Sequence, residues 1–208
     1  MTQILDLNTW SRKDHFHFFS QFEEPFFGVT VKVDCTIAYA TAKAKGISFF
    51  LHYLHKSLLA ANQIPCFRYR IVEDQVWIFD QVNASPTVGR ADGSFGFSYM
   101  DYREDFSEFQ VIAEKEIETV KNSTSLFPAG SGECVIHYSA LPWLDFTSMS
   151  HARSFTLADS NPKISFGKMM ESEGKKTMSV SIHVHHGLMD GFHVGQFVER
   201  FQKLLNEA

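Results

Sequence analysis

The chain has little with which to cross-link itself. Its three cysteines, Cys35, Cys66 and Cys134, are odd in number and far apart, and no C-x-x-C occurs. That argues against a disulfide framework and a structural zinc site, and fits reduced thiols in a cytoplasm. No apolar run reaches the ~18 residues of a membrane span, so no membrane partner is expected. The opening MTQILDLNTWSRKDHF lacks the basic and then apolar regions of a secretory leader. Lysine and arginine form no block and the net charge is −5, which argues against a nucleic-acid partner. No repeat, low-complexity segment or Pro/Ser-rich linker divides the 208 residues, so a single domain over 1–208 is expected. Phenylalanine, by contrast, is abundant at 21 copies, so the core or its pockets must be rich in aromatic rings.

Periodicity gives the outline of a mixed fold. Val29, Val31 and Val33 alternate with Thr30 and Lys32, which predicts a strand over Phe26–Val33. Thr36 to Lys45 reads as a short helix. Ser48 is placed to cap a second helix, Phe49–Asn62, with Phe50, Leu51, Leu54, Leu58 and Leu59 as its apolar face. Phe67–Val72 and Val76–Phe79 flank Glu73-Asp74-Gln75 as a hairpin. Further strands are expected at Phe95–Tyr99, Cys134–Ala140, Ile164–Met170 and Thr177–Val184, and helices from Asp105 to Asn122 and from about His193 to Asn206. Hairpins mixed with helices imply α+β, a two-layer sandwich with a largely antiparallel mixed sheet covered by helices.

The most informative stretch is His183-Val-His185-His186-Gly-Leu-Met-Asp190-Gly191, which holds three of the chain's ten histidines and is followed closely by His193. In a strand, His183 and His185 share one face and His186 takes the other. Three readings compete. Any one of these histidines could be an ordinary polar residue beside a core. An H-x-H pair could bind a metal, but no acidic or cysteine ligand sits at a familiar offset, so no metal is expected. The third is acid/base catalysis by His186 with Asp190 ordering the loop, because an imidazole titrates near neutrality without large tuning. The full H-H-x-x-x-D-G pattern favours the third.

That string, continued as Phe192-His193-Val-Gly195, resembles the C-terminal motif of the chloramphenicol acetyltransferases, members of the coenzyme A-dependent acyltransferase superfamily. The segment Trp10-Ser-Arg12-Lys13-Asp-His15-Phe16 is similar to the N-terminal W-x-R-K-x-H-F of the same family. Leu126-Phe127-Pro128 and Ala140-Leu141-Pro142-Trp143-Leu-Asp-Phe146-Thr-Ser148 also match in order and spacing.

The resemblance implies acetyl transfer from acetyl-CoA, a co-substrate rather than a resident cofactor, to a hydroxyl of chloramphenicol. His186 would be the general base and Ser148 the donor to the oxyanion. Asp190 and Arg12 would form an ion pair that holds the loop and the imidazole in place, without the carboxylate ordering the imidazole directly as in a protease-like triad. Lys45 and Lys168 fall near lysines that approach the coenzyme's phosphates. Ser165 stands where a threonine usually helps to fix a water. The family further implies a homotrimer with active sites at subunit interfaces.

The departures lie in the acceptor pocket. Phe19 appears where a tyrosine is usual, and Phe97 sits where an alanine is usual beside the matching Phe95. Gly187-Leu188-Met189 replaces Ala-Val-Cys inside the motif. These keep open the same chemistry on another small hydroxylated or thiol acceptor, as well as a relative that only binds a ligand. No lipoyl or subunit-binding segment is expected ahead of the catalytic region.

Overall fold

The computed structural model describes residues 2–130, 132, 134–154 and 159–207. In chain order the elements are β1 (Gln3–Ile4), α1 (Lys13–Phe19), β2 (Phe26–Asp34), α2 (Thr36–Lys45), α3 (Phe49–Asn62), a 3₁₀ turn (Pro65–Arg68), β3 (Tyr69–Val72), β4 (Gln75–Ile78), β5 (Asn83–Gly89), β6 (Phe95–Phe97), α4 (Phe106–Lys121), β7 (Val135–Ala140), β8 (Lys163–Ser172), β9 (Lys175–His185) and α5 (Gly191–Leu205). Six strands form one sheet in the order β2-β9-β8-β7-β5-β6, and β1-β4-β3 form a small second sheet. In the large sheet β5, β7 and β8 pair in parallel and the other three pairings are antiparallel. The fold is the expected α+β class.

One face of the large sheet is apolar and meets the helices. Phe166 of β8 and Val180, Ile182 and Val184 of β9 pack with Leu51, Leu54 and Leu58 of α3 and with Phe197 and Phe201 of α5. The opposite face of the same strands carries Ser165, Ser179, Ser181, His183 and His185, as period-2 alternation requires. A second apolar cluster joins Phe16 of α1, Val76 of β4 and Leu188. Leu188 lies in the loop after β9, so this cluster anchors the loop that carries His186.

Local chemistry explains the boundaries. The Ser48 hydroxyl caps α3 by accepting the Leu51 N–H. The segment between the expected strands Ile164–Met170 and Thr177–Val184 is mostly strand, closed by a two-residue turn with Glu173 at φ 51° and Gly174 at φ 76°. Two successive positive φ values match the right-handed twist of the strands, so β8 and β9 run further than their apolar residues suggest. The expected Phe67–Val72 strand begins at Tyr69, because Pro65 opens a 3₁₀ turn that takes up Phe67. The strand expected to reach Tyr99 ends at Phe97.

β1, α1 and β5 lie outside the periodicity-based outline. β5 is interior to the sheet although it holds Pro86, a residue that normally marks edges. The proline forfeits one N–H, while its carbonyl still accepts from both the amide and the hydroxyl of Ser98. Helix α1 has no side-chain cap and only seven residues. Its order comes from burying Phe16, a tertiary contact rather than a local signal.

Candidate active site

The loop between β9 and α5 is fixed at both of its ends. Asp190 caps α5 through the Phe192 N–H at 3.0 Å. Its other oxygen takes the Arg12 guanidinium at 2.5 Å, in a pair whose side chains are only 13% and 32% exposed. The carboxylate also meets His193 Nδ1 at 2.8 Å, while the Asp190 N–H lies 3.3 Å from the same nitrogen. One ring nitrogen cannot both donate and accept, and the shorter contact to a carboxylate assigns the proton to Nδ1. Burial alone would raise the Asp190 pKa. The bonds from His193 and Arg12, together with the Arg12 charge, hold it down to about 2.

Arg12 does more than pair a charge. Its second terminal nitrogen donates to the His186 carbonyl at 3.3 Å. On the other side the His186 N–H donates to the Pro25 carbonyl at 2.7 Å. The backbone of His186 is therefore held from two directions, and the Asp190 carboxylate bonds to Arg12 and His193 rather than to the imidazole.

The imidazole itself is held by rings. Phe19 stacks on it at 3.9 Å and 8°, and Phe27 of β2 lies at 4.5 Å and 42°. Its Nδ1 is buried and makes no hydrogen bond, so the nitrogen an outside molecule can reach is Nε2. His185 has a different fate. Its Nδ1 accepts the Gly187 N–H at 3.2 Å, and burial pushes its pKa down to about 4, which keeps it neutral. Gly187 leaves room there: a Cβ would come within about 3.0 Å of the His185 ring, so the ring would have to shift by a few tenths of an ångström.

The remaining predicted site residues are dispersed. Ser148 is exposed, in the irregular segment between β7 and β8. Ser165 on β8 is fully buried with an unpartnered hydroxyl. Lys45 is exposed at the end of α2, and Lys168 is exposed where the β8–β9 register shifts. Phe95 is 48% exposed on β6 and stands edge-on to Phe97, which stacks on Phe127 at 5.0 Å. Strands β9 and β6 are four strand spacings apart, roughly 19 Å at ~4.8 Å each. Within one chain, then, Arg12, Phe19, His186 and Asp190 come together, while Phe95 and Phe97 lie across the sheet from them.

Three contributors were not foreseen. Phe27 sits inside the predicted strand, but an aromatic in a strand looks like core. In the sequence His185 and His193 stand out only as members of a histidine-rich stretch. The i, i+3 spacing of Asp190 and His193 is that of a capping box, and it could have identified His193.

Among the described residues no group of three or more histidine, cysteine, aspartate or glutamate side chains could hold a metal ion. Among them, too, no helix is long and apolar enough to cross a membrane.

Comparison with known proteins agrees with this geometry. The chloramphenicol acetyltransferase family model matches residues 1–202. A chloramphenicol acetyltransferase of Bacillus pumilus is 31% identical, over 100% of this chain and 95% of its own. Chloramphenicol acetyltransferase 3 of Escherichia coli is 30% identical, over 97% of this chain and 95% of its own. A solved chloramphenicol acetyltransferase structure superposes with a TM-score of 0.91 at 34% identity, covering 99% of this chain and 100% of that one. A dihydrolipoamide acetyltransferase of Azotobacter vinelandii, with a TM-score of 0.66 at 13% identity over 93% of this chain and 86% of that one, shares the fold. With the motif residues assembled around His186 and a full-length match in both sequence and structure, the chain belongs to the chloramphenicol acetyltransferase family.

Proposed function

We propose that this protein transfers an acetyl group from acetyl-CoA to a hydroxyl of chloramphenicol, with His186 as general base. The observation that carries this reading is the state of the His186 ring. It is clamped by Phe19 and Phe27, with Nδ1 buried and Nε2 left to meet a substrate. Nε2 takes the proton of the acceptor hydroxyl as the oxygen attacks the thioester carbonyl. The carbonyl oxygen becomes an anion, and the intermediate collapses by expelling the coenzyme's sulfur, which takes the proton back from the imidazolium. No acyl-enzyme forms. A positioned imidazole is worth ~10²–10⁴-fold in such a transfer. Ser148 donates to the oxyanion, a bond worth ~3–4 kcal/mol. Ser165 offers a buried hydroxyl to a water beside it. Exposed Lys45 and Lys168 suit the coenzyme's phosphates.

The acceptor pocket is completed by a second chain. Phe95 and Phe97 are exposed or half-exposed rings on the far edge of the sheet, which suits them to wall the pocket of a neighbour's His186. The protein is accordingly a cytoplasmic homotrimer of single-domain subunits. The test is coenzyme A release from acetyl-CoA and chloramphenicol, with the product identified by mass and the oligomer measured by light scattering. Acetylated chloramphenicol made by a trimer supports the reading. Release only with another hydroxyl or thiol compound would overturn the acceptor and implicate Phe19 and Phe97. No transfer to any acceptor would overturn the activity.

A further inference from the structure

The segment that carries Ser148 has no regular structure of its own, so its position must be imposed from outside. It crosses the polar face of β8 and β9 and is tied down on both sides of Ser148. On one side the Lys168 N–H donates to the Leu144 carbonyl at 2.7 Å, and the Ser179 hydroxyl donates to Asp145 at 3.2 Å. Phe146 packs there on Gly167, where a Cβ would come within 3.1 Å of its ring. On the other side His183 Nε2 meets the Met149 carbonyl at 3.1 Å. The floor between these ties is Ser165 and Ser181, register partners on β8 and β9 whose hydroxyls are fully buried and unpartnered. Thr147 and Ser148 lie in the chain between these ties.

The His183 tie is built into the sheet. The imidazole lies over Gly28, its register partner on β2. A Cβ at Gly28 would fall 2.3 to 2.6 Å from three ring atoms, so any side chain there expels the ring. Gly28 has no positive φ, so its requirement is space alone. The His151 ring stands edge-on to His183 at 4.8 Å and 83°. A carbonyl can only accept, so Nε2 carries the proton. Burial, the main influence on its pKa, holds the His183 ring below the ordinary imidazole range, consistent with a neutral structural donor.

We propose that His183 is a positioning residue for the reaction: its bond to the Met149 carbonyl, made possible by Gly28, sets Ser148 at the height from which its hydroxyl reaches the oxyanion. This rests on the acetyl-transfer reading above, with Ser148 as the donor. His183 touches neither substrate. It acts one peptide away from the serine, where a displacement of about 1 Å can cost ~10²-fold in rate.

The experiment compares kcat and KM for the wild type, His183→Ala, His183→Gln, Gly28→Ala, Ser148→Ala and the double variant His183→Ala/Ser148→Ala, with amide hydrogen exchange over residues 145–152. His183→Ala and Gly28→Ala are each expected to lower kcat about tenfold to a hundredfold, with both KM values little changed. The glutamine amide can reach the same carbonyl, so His183→Gln is expected to regain most of the loss. The double variant is expected to be scarcely worse than Ser148→Ala alone, because the tie works through Ser148. Exchange over 145–152 is expected to quicken in His183→Ala and in Gly28→Ala. Wild-type kcat in His183→Ala, or losses that multiply in the double variant, would overturn the proposal. Should chloramphenicol prove not to be the acceptor, the exchange measurement still decides whether the tie exists, and unchanged exchange would end the idea.

Discussion

Replacing Asp190 with asparagine removes the negative charge that His193 and Arg12 share. Asparagine is as good a helix cap as aspartate, so the bond from the Phe192 N–H survives, while the charge and the oxygen that accepts from Arg12 are lost. The carboxyl titrates at about 2 in the folded chain against its usual 3.8. Converted at ~1.4 kcal/mol per unit, that difference gives at most ~2.5 kcal/mol. The Asp190 side chain is 32% exposed, and screening by solvent reduces the figure to ~1–2 kcal/mol. For a chain of this size the melting temperature should fall by ~2–8 °C. Turnover should fall about tenfold to a hundredfold, because Arg12 also holds the His186 carbonyl.

The pH dependence follows from the depressed pKa. Because the folded pKa is below the unfolded one, the contribution is full above about pH 4. It shrinks as pH falls through the window between 3.8 and about 2, and is lost below it. Urea unfolding of both proteins at pH 7 and at pH 3.5, with turnover at pH 7, tests this. Equal midpoints and equal turnover at pH 7 would refute the reasoning, as would a gap in unfolding free energy that widens on acidification.

Two other outcomes follow from the same geometry. Phe19→Ala should remove the stacked face of His186, a contact worth ~0.5–1.5 kcal/mol, and lower kcat several-fold; Phe19→Tyr should keep the stack and the rate. Steady-state kinetics of the two variants decide it, and equal losses in both would show that stacking is not the cause. The three thiols should resist iodoacetamide at pH 8 in the native protein and react on unfolding, since burial pushes Cys35 and Cys134 up to about 11 and Cys66 up to about 12. Rapid labelling of any of them in the folded state, followed by mass spectrometry, would contradict that account.

How much was legible in the sequence depended on whether the signal was local. The helices α3 and α4 and the strands β2, β8 and β9 carry their period along their own length, and the Ser48 cap is readable from one residue. Strand β5 was hidden by Pro86, whose lost bond is compensated by two from Ser98, a residue twelve positions away. Helix α1 was hidden because its stability comes from Phe16 meeting Val76 and Leu188. At the site, the Arg12–Asp190 pair was readable through the family motif, and the structure places the two groups together across 178 residues. Phe27 was not readable as a neighbour of His186, because only the pairing of Phe26 with His185 and of Phe27 with Val184 brings the end of β2 beside the loop. The tie from His183 to Met149 depends on an irregular segment crossing a strand, which no spacing in the sequence announces.

The central claim is that His186 removes the proton of the acceptor. Its most direct test is the turnover of His186→Ala in the coenzyme A release assay, beside a check that its oligomer mass and melting temperature match those of the wild type. The account predicts a loss of ~10²–10⁴-fold or more in kcat with the assembly intact. Turnover within a few-fold of wild type in an intact variant would contradict it and remove His186 as the base.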